Sequence, residues 1–130
     1  MTIPEILKEF RTIAVVGLSA NPDRASFRVS RYMQDQGYRI VPVRPNADEI
    51  LGEKVYPTLK DIPFPVEIVD VFRRSETVLP IAEEAVAIGA KVLWLQETVI
   101  NHDAQRVCED AGMEVIMDTC ILKEHMKAGL

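Results

Sequence analysis

The sequence is short of several things, and each shortage removes a class of function. Acids outnumber bases, 20 Asp and Glu against 15 Lys and Arg, giving a net charge of −5. No stretch gathers a broad basic face, which argues against a nucleic-acid partner. An acidic chain still binds an anion where a few cations converge. Only two cysteines occur, Cys108 and Cys120. They form no CxxC unit, and no histidine stands at zinc-ligand spacing, so neither a redox pair nor a metal site is expected. No apolar run reaches about 18 residues, and no basic, apolar leader opens the chain. These features predict a cytoplasmic protein with reduced thiols and no membrane contact.

What is there suits one folded unit. The 130 residues are 48% apolar and 27% charged, enough for a buried core under an ordinary surface. A single domain over residues 1–130 is expected. There is no internal repeat and no low-complexity linker.

Apolar runs alternate with helical patterns about every 25 residues. Residues 3–10 read as a helix, with Thr2 as cap and Pro4 in the first turn. The first strand is Thr12 to Gly17, apolar on both faces as a central parallel strand should be. A loop from Leu18 to Ala25 leads to a helix from Ser26 to Gln36, stopped by Gly37. The inward face of that helix is expected at Phe27, Ser30 or Arg31, and Met33 or Gln34. The second strand is Tyr38 to Val43. Asp48 to Leu51 reads as a turn of helix, Val55-Tyr56 as a very short strand, and Thr58 to Ile62 as one capped helical turn.

The third strand is Val66 to Phe72, followed by a helix from Glu76 to Ile88. Lys91 to Leu95 forms the fourth strand, Asn101 caps a helix to Ala111, and Met113 to Met117 forms the fifth. Ile121 to Lys127 closes the chain as an amphipathic helix. The pattern predicts an α/β protein: a doubly wound parallel sheet of about five strands with helices on both faces. Ligands of such sheets bind outside the carboxyl ends of the strands, at the switch point.

Three strand ends therefore carry the chemistry. After the first, Gly17 permits a sharp turn, but Ser19 and Pro22 replace the later glycines of GxGxxG. The loop offers backbone N–H groups, the hydroxyls of Ser19 and Ser26, and the Arg24 guanidinium, all donors suited to phosphate. After the second, Val43-Arg44-Pro45 supplies a cation where an NAD site wants an acid for the ribose hydroxyls. A ribose carrying an extra phosphate fits better, which leaves NADP and coenzyme A. After the third, Phe72-Arg73-Arg74 adds an aromatic ring and two cations, with Arg74 expected at the surface. Gln96-Glu97 ends the fourth strand beside it.

No catalytic set assembles. His102 and His125 fall on a helix start and an amphipathic tail without evident partners. Cys120 reads as a small buried residue. Glu97 alone stands where a general base would be useful.

The motifs in order are Val16-Gly17-Leu18-Ser19, Asn21-Pro22-Asp23-Arg24, Gly37-Tyr38 and Leu51-Gly52-Glu53-Lys54-Val55-Tyr56-Pro57. Val69-Asp70-Val71-Phe72-Arg73-Arg74-Ser75-Glu76, Gly89-Ala90-Lys91-Val92-Leu93-Trp94-Leu95-Gln96, Met117-Asp118 and Glu124-His125 complete the series. Together they closely resemble the small stand-alone CoA-binding proteins of bacteria and archaea. These are in turn similar to the N-terminal CoA-binding domain of the succinyl-CoA synthetase α subunit. The resemblance implies a three-layer Rossmann-like fold with coenzyme A, or an acyl-CoA, across the strand ends. Gly17, Leu18, Ser19 and Ala20 would form the first phosphate loop, continued by Arg24 and Ser26. Val43, Arg44 and Pro45 would flank the phosphorylated ribose or adenine. Phe72 and Arg73, with Gln96 and Glu97, would line the other wall.

The sequence departs from that pattern at three places. Arg44 stands where Asn is common, Thr98 where Gly is usual, and Thr119 where Arg is common. Stand-alone members lack the ligase's phosphohistidine segment and its nucleotide-binding partner domain. The resemblance thus implies binding of a small molecule without catalysis. An NADP-binding reductase-like role, a homodimer, or an accessory subunit of an acyl-CoA ligase or transferase are the competing expectations.

Overall fold

Strand β1 (Thr12–Val16) explains the layering. In the computed structural model, which describes residues 1–130, Ile13 and Val15 point into one apolar layer and Ala14 and Val16 into another. A strand buried on both faces needs helices on both sides. On one side lie α1 (Ile3–Glu9), α2 (Ala25–Asp35) and α5 (Ile121–Ala128); on the other, α3 (Val78–Ala87) and α4 (His102–Asp110).

The main sheet also contains β2 (Arg39–Val43). After a hairpin of two short strands, β3 (Glu49–Ile50) and β4 (Glu53–Lys54), come β5 (Ile68–Val71), β6 (Val92–Leu95) and β7 (Glu114–Ile116). All pairings of the five long strands are parallel, in the order β2-β1-β5-β6-β7. This is the three-layer, Rossmann-like, doubly wound α/β fold expected from the sequence. The chain first steps from β1 to β2, then crosses back to place β5 on the other flank of β1. The switch point therefore falls between the carboxyl ends of β1 and β5.

Local chemistry sets the element ends. Thr2 and Glu5 close a reciprocal capping box on α1, with Glu5 Oε1 accepting from the Thr2 amide at 2.7 Å. Asn101 Oδ1 accepts from the Ala104 amide at 2.9 Å and caps α4. Thr58 and Asp61 form the same box over one 3₁₀ turn, Leu59–Asp61. Trp94 is fully buried, and its indole Nε1 donates to the Thr119 carbonyl at 2.8 Å.

Three local expectations are corrected. Residues 48–51 form no helical turn. Leu51 and Gly52 both take positive φ, 55° and 75°, so the chain reverses in a two-residue β-hairpin pairing Glu49 with Lys54. The short strand is thus Glu53–Lys54; Tyr56 makes only a single bridge, to Val43. The inner face of α2 is Ser26, Val29, Ser30 and Met33: Ser30 and Met33 lie inward as expected, but Ser26 and Val29 join them while Phe27 is only half-buried at the margin.

Candidate functional site

The carboxyl ends of β1, β2 and β5 are tied side by side. The Gly17 amide donates to the Val43 carbonyl at 2.9 Å, and the Phe72 amide donates to the Val16 carbonyl at 2.9 Å. Tyr56 clamps the end of β2, donating to Pro42 O and accepting from the Arg44 amide, each at 3.0 Å. Gly17 takes φ 88°, and a Cβ there would lie 2.4 Å from the Phe72 carbonyl oxygen and 3.1 Å from Arg73 Nε. Only glycine permits both the turn and that approach.

Three hollows meet at this rim. A small one of about 190 Å³ is lined by Gly17, Ser19, Arg44, Pro45, Phe72 and Arg73, all anticipated from sequence. Two guanidinium groups thus border one cavity at the switch point, the chemistry that recognises phosphate. A cleft of about 520 Å³ opens toward α3, with Val16, Val43, Leu59 and Ile81 as apolar walls. A second, of about 560 Å³, opens toward α2 and α5, where Ala25, Val29, Gln96, Thr98 and Cys120 line it. Phe72 and Arg73 border all three hollows, and Arg74 borders both larger clefts. Each larger cleft has the size and mixed lining of a small-molecule site.

The remaining anticipated residues divide. Val43 lines the α3-side cleft; Gln96 and Glu97 line the other. Leu18 is buried in the core, so only its backbone remains for a ligand. Ser26 is buried, and its Oγ accepts from the Ser19 amide at 3.0 Å. Ser19 Oγ accepts from the Asn21 amide at 3.1 Å. Both hydroxyls thus hold the loop in shape. Ala20 and Arg24 are exposed and border none of the three hollows; Arg24 precedes α2 without a side-chain cap bond. Glu97 Oε2 pairs with Lys123 Nζ at 2.9 Å on the exposed rim. Arg74 is exposed as expected and pairs with Glu76 at 3.3 Å.

Thr98 adopts φ 72°, a left-handed conformation costly for a β-branched residue. Its amide donates to Asp118 Oδ1 at 2.7 Å. Thr119 Oγ1 donates to the Met117 carbonyl at 2.7 Å.

Sequence reasoning missed the wall formed by Pro57, Thr58 and Leu59 with Thr77, Ile81 and Glu84. Glu84 Oε1 accepts from the Leu59 amide at 2.6 Å and so anchors that turn to α3. It also missed Asp70, fully buried beneath the rim, whose Oδ1 accepts from Gln96 Nε2 at 2.6 Å. Burial pushes the Asp70 carboxyl up to about 7, against the Gln96 hydrogen bond that favours its charge. A lone acid in an otherwise apolar strand was the available signal.

His125 lies on the inner face of α5, 4% exposed, with Nδ1 2.8 Å from the Tyr32 hydroxyl. Burial, then the Arg11 charge, lowers its pKa and keeps it neutral. Cys108 is buried and its thiol is pushed up to about 11. Cys120 is buried and borders the second cleft. His102 is exposed at the start of α4, beside Gln105. No group of three or more His, Cys, Asp or Glu side chains is arranged to hold a metal ion.

Fold and rim together define a Rossmann-like α/β domain whose cavities converge on the switch point of its sheet. The chain belongs to the CoA binding domain family, whose model matches residues 11–126. It is 49% identical over 123 residues to the uncharacterized protein YneT of Bacillus subtilis, covering 95% of this chain and 91% of that one. It is 32% identical over 112 residues to acetate–CoA ligase (ADP-forming) II of Archaeoglobus fulgidus. That match takes in 83% of this chain but 17% of the enzyme. The solved structure of a hypothetical protein from Pyrococcus horikoshii superposes with a TM-score of 0.96 at 36% identity, covering 98% of this chain and 90% of that one. No helix is long and apolar enough to cross a membrane.

Proposed function

We propose that this chain binds coenzyme A or an acyl-CoA at the carboxyl ends of β1, β2 and β5, as a single non-catalytic domain in the cytoplasm. The observation that carries the reading is the small hollow where Gly17, Arg44 and Arg73 converge. Two cations beside an exposed turn suit a phosphorylated nucleotide. The larger clefts on either side offer room for its base and its arm. Membership of the CoA binding domain family supports the same ligand. The relative in Archaeoglobus, an acetate–CoA ligase, supports a second role as an accessory subunit of a larger acyl-CoA enzyme.

Titration calorimetry with CoA, acetyl-CoA, NADP and NAD tests the reading. Saturable heat with a CoA species and none with NAD is expected. Saturation by NADP alone overturns it. Mass spectrometry of natively purified protein checks for a co-purified ligand of CoA mass.

A further inference from the structure

Asp70 is the one buried carboxylate of the chain, 1% exposed. It lies in β5 between Val15 of β1 and Trp94 of β6. Its side chain makes one hydrogen bond, to Gln96 Nε2. Gln96 is itself buried, yet it borders the cleft toward α2 and α5. Its Oε1 has no partner in the protein and is not sealed from solvent, so it opens to that cleft.

No cation is paired with the Asp70 carboxyl. The helix α2 turns Ser26, Val29, Ser30 and Met33 inward. The titratable groups of this layer are Cys120 and His125 at α5, Tyr32 of α2, and Tyr38 before β2, with the Arg11 guanidinium over the Tyr38 ring; none hydrogen-bonds Asp70. At the crevice end the charged side chains are Arg73, Arg74, Glu76 and Glu97, all exposed. Ser30 Oγ is buried without a partner, so the layer has spare hydrogen-bonding capacity.

We propose that Asp70 is a positioning residue for the crevice: it fixes which end of the Gln96 amide meets the ligand, and it turns that amide over when it takes a proton. An ionised carboxylate only accepts hydrogen bonds. It therefore holds Gln96 by an N–H and leaves Oε1 toward the cleft, ready to accept from an amide N–H of a ligand arm. A protonated Asp70 donates its O–H. Gln96 then satisfies it with Oε1 and presents Nε2 to the cleft, a donor for a ligand carbonyl. One buried proton thereby exchanges acceptor for donor at the cleft wall. Burial places that exchange near neutral pH. The inference rests on the crevice being the ligand site, but its first test does not.

That test is heteronuclear NMR of the ligand-free protein from about pH 5.5 to about 8.5, a span bracketing the expected titration. The Gln96 side-chain NH₂ signal is assigned by its loss in Gln96→Met. It should move with a midpoint near 7 and stay fixed in Asp70→Asn. A signal that is flat in the wild type overturns the proposal.

Calorimetry with CoA in two buffers of different ionisation heat then counts protons exchanged on binding. The phosphates of CoA titrate in the same range, so the difference between wild type and variant is what is read. Equal proton numbers in wild type, Asp70→Asn and Gln96→Met overturn the positioning role. If Asp70→Asn does not fold, Gln96→Met carries the comparison. Absence of CoA binding at every pH overturns the CoA reading and leaves the NMR titration to decide the role of Asp70.

Discussion

The α-carbon of Gly17 faces the Phe72 carbonyl so closely that an added methyl would sit 2.4 Å from the oxygen. The contact joins the turn after β1 to the end of β5 and brings the Arg73 guanidinium over the same turn. Gly17→Ala meets two penalties, a left-handed backbone and a collision with main chain. Gly37→Ala meets the first alone, since nothing lies within 4 Å of a Cβ there and φ is 94°. Gly37→Ala should cost about 1 kcal/mol and Gly17→Ala at least about 1 kcal/mol more. Urea denaturation of both variants checks this, and equal costs would refute it.

Arg44 and Arg73 border one hollow, whereas Arg24 lies outside it. A charge-assisted hydrogen bond contributes about 1.5–3 kcal/mol, so Arg44→Ala or Arg73→Ala should weaken CoA binding roughly 10-fold to 100-fold. Arg24→Ala should change it less than about threefold. Calorimetry on the three variants separates the two groups. A dominant loss at Arg24 would show that the loop closes over the ligand.

The pattern of strands and helices was legible because β1 and β6 are apolar on both faces and β5 is broken only by Asp70, a signal independent of tertiary detail. The hairpin at residues 49–54 was not. It depends on Leu51 taking positive φ, and leucine gives no sign of that. On the inner face of α2, Ser30 and Met33 were legible, but its first turn was not, because buried Ser26 gives no apolar signal and Phe27 beside it does. At the site, the rim was readable since each strand end announces itself by Gly, Pro or Arg. Ser19 and Ser26 carry a second role there, as acceptors for amides of their own loop. Their hydroxyls hold the loop through bonds that sequence alone does not distinguish from ligand contacts. The Thr58 to Glu84 wall joins segments far apart in the chain, so spacing carried no trace of it.

Asp70 makes stability depend on pH in a definite direction. Its pKa is raised from 3.8 to about 7 on folding, so between those values the native state holds a proton that the unfolded chain has lost. Stability therefore falls as pH rises from about 4 to about 7 and then levels off. The full effect is roughly 4 kcal/mol at 1.36 kcal/mol per pH unit. His125 works the other way. Its pKa is lowered, so its contribution is complete above about 6.5 and is lost as pH falls below that. Denaturation of Asp70→Asn at about pH 5 and about pH 8 isolates the first effect. The variant should gain on the wild type by a few kcal/mol between the two conditions. A parallel profile would place the carboxyl in contact with water.

Thr98 occupies a conformation built for glycine at the mouth of the second cleft. Its amide is held by Asp118 and its carbonyl accepts from Ser75 Oγ at 3.2 Å, so the neighbourhood enforces the strained φ. Thr98→Gly keeps both backbone bonds and removes the strain. Relief of about 1–3 kcal/mol is set against about 1 kcal/mol of added unfolded-state entropy. The variant should therefore be more stable by about 0.5–1 kcal/mol. It should also widen the cleft beside Gln96 and raise affinity for ligands with a longer acyl arm relative to CoA itself. Thermal melting checks the first outcome, and paired titrations with CoA and a medium-chain acyl-CoA check the second. A loss of stability would mean that the threonine side chain makes a compensating contact in the folded protein.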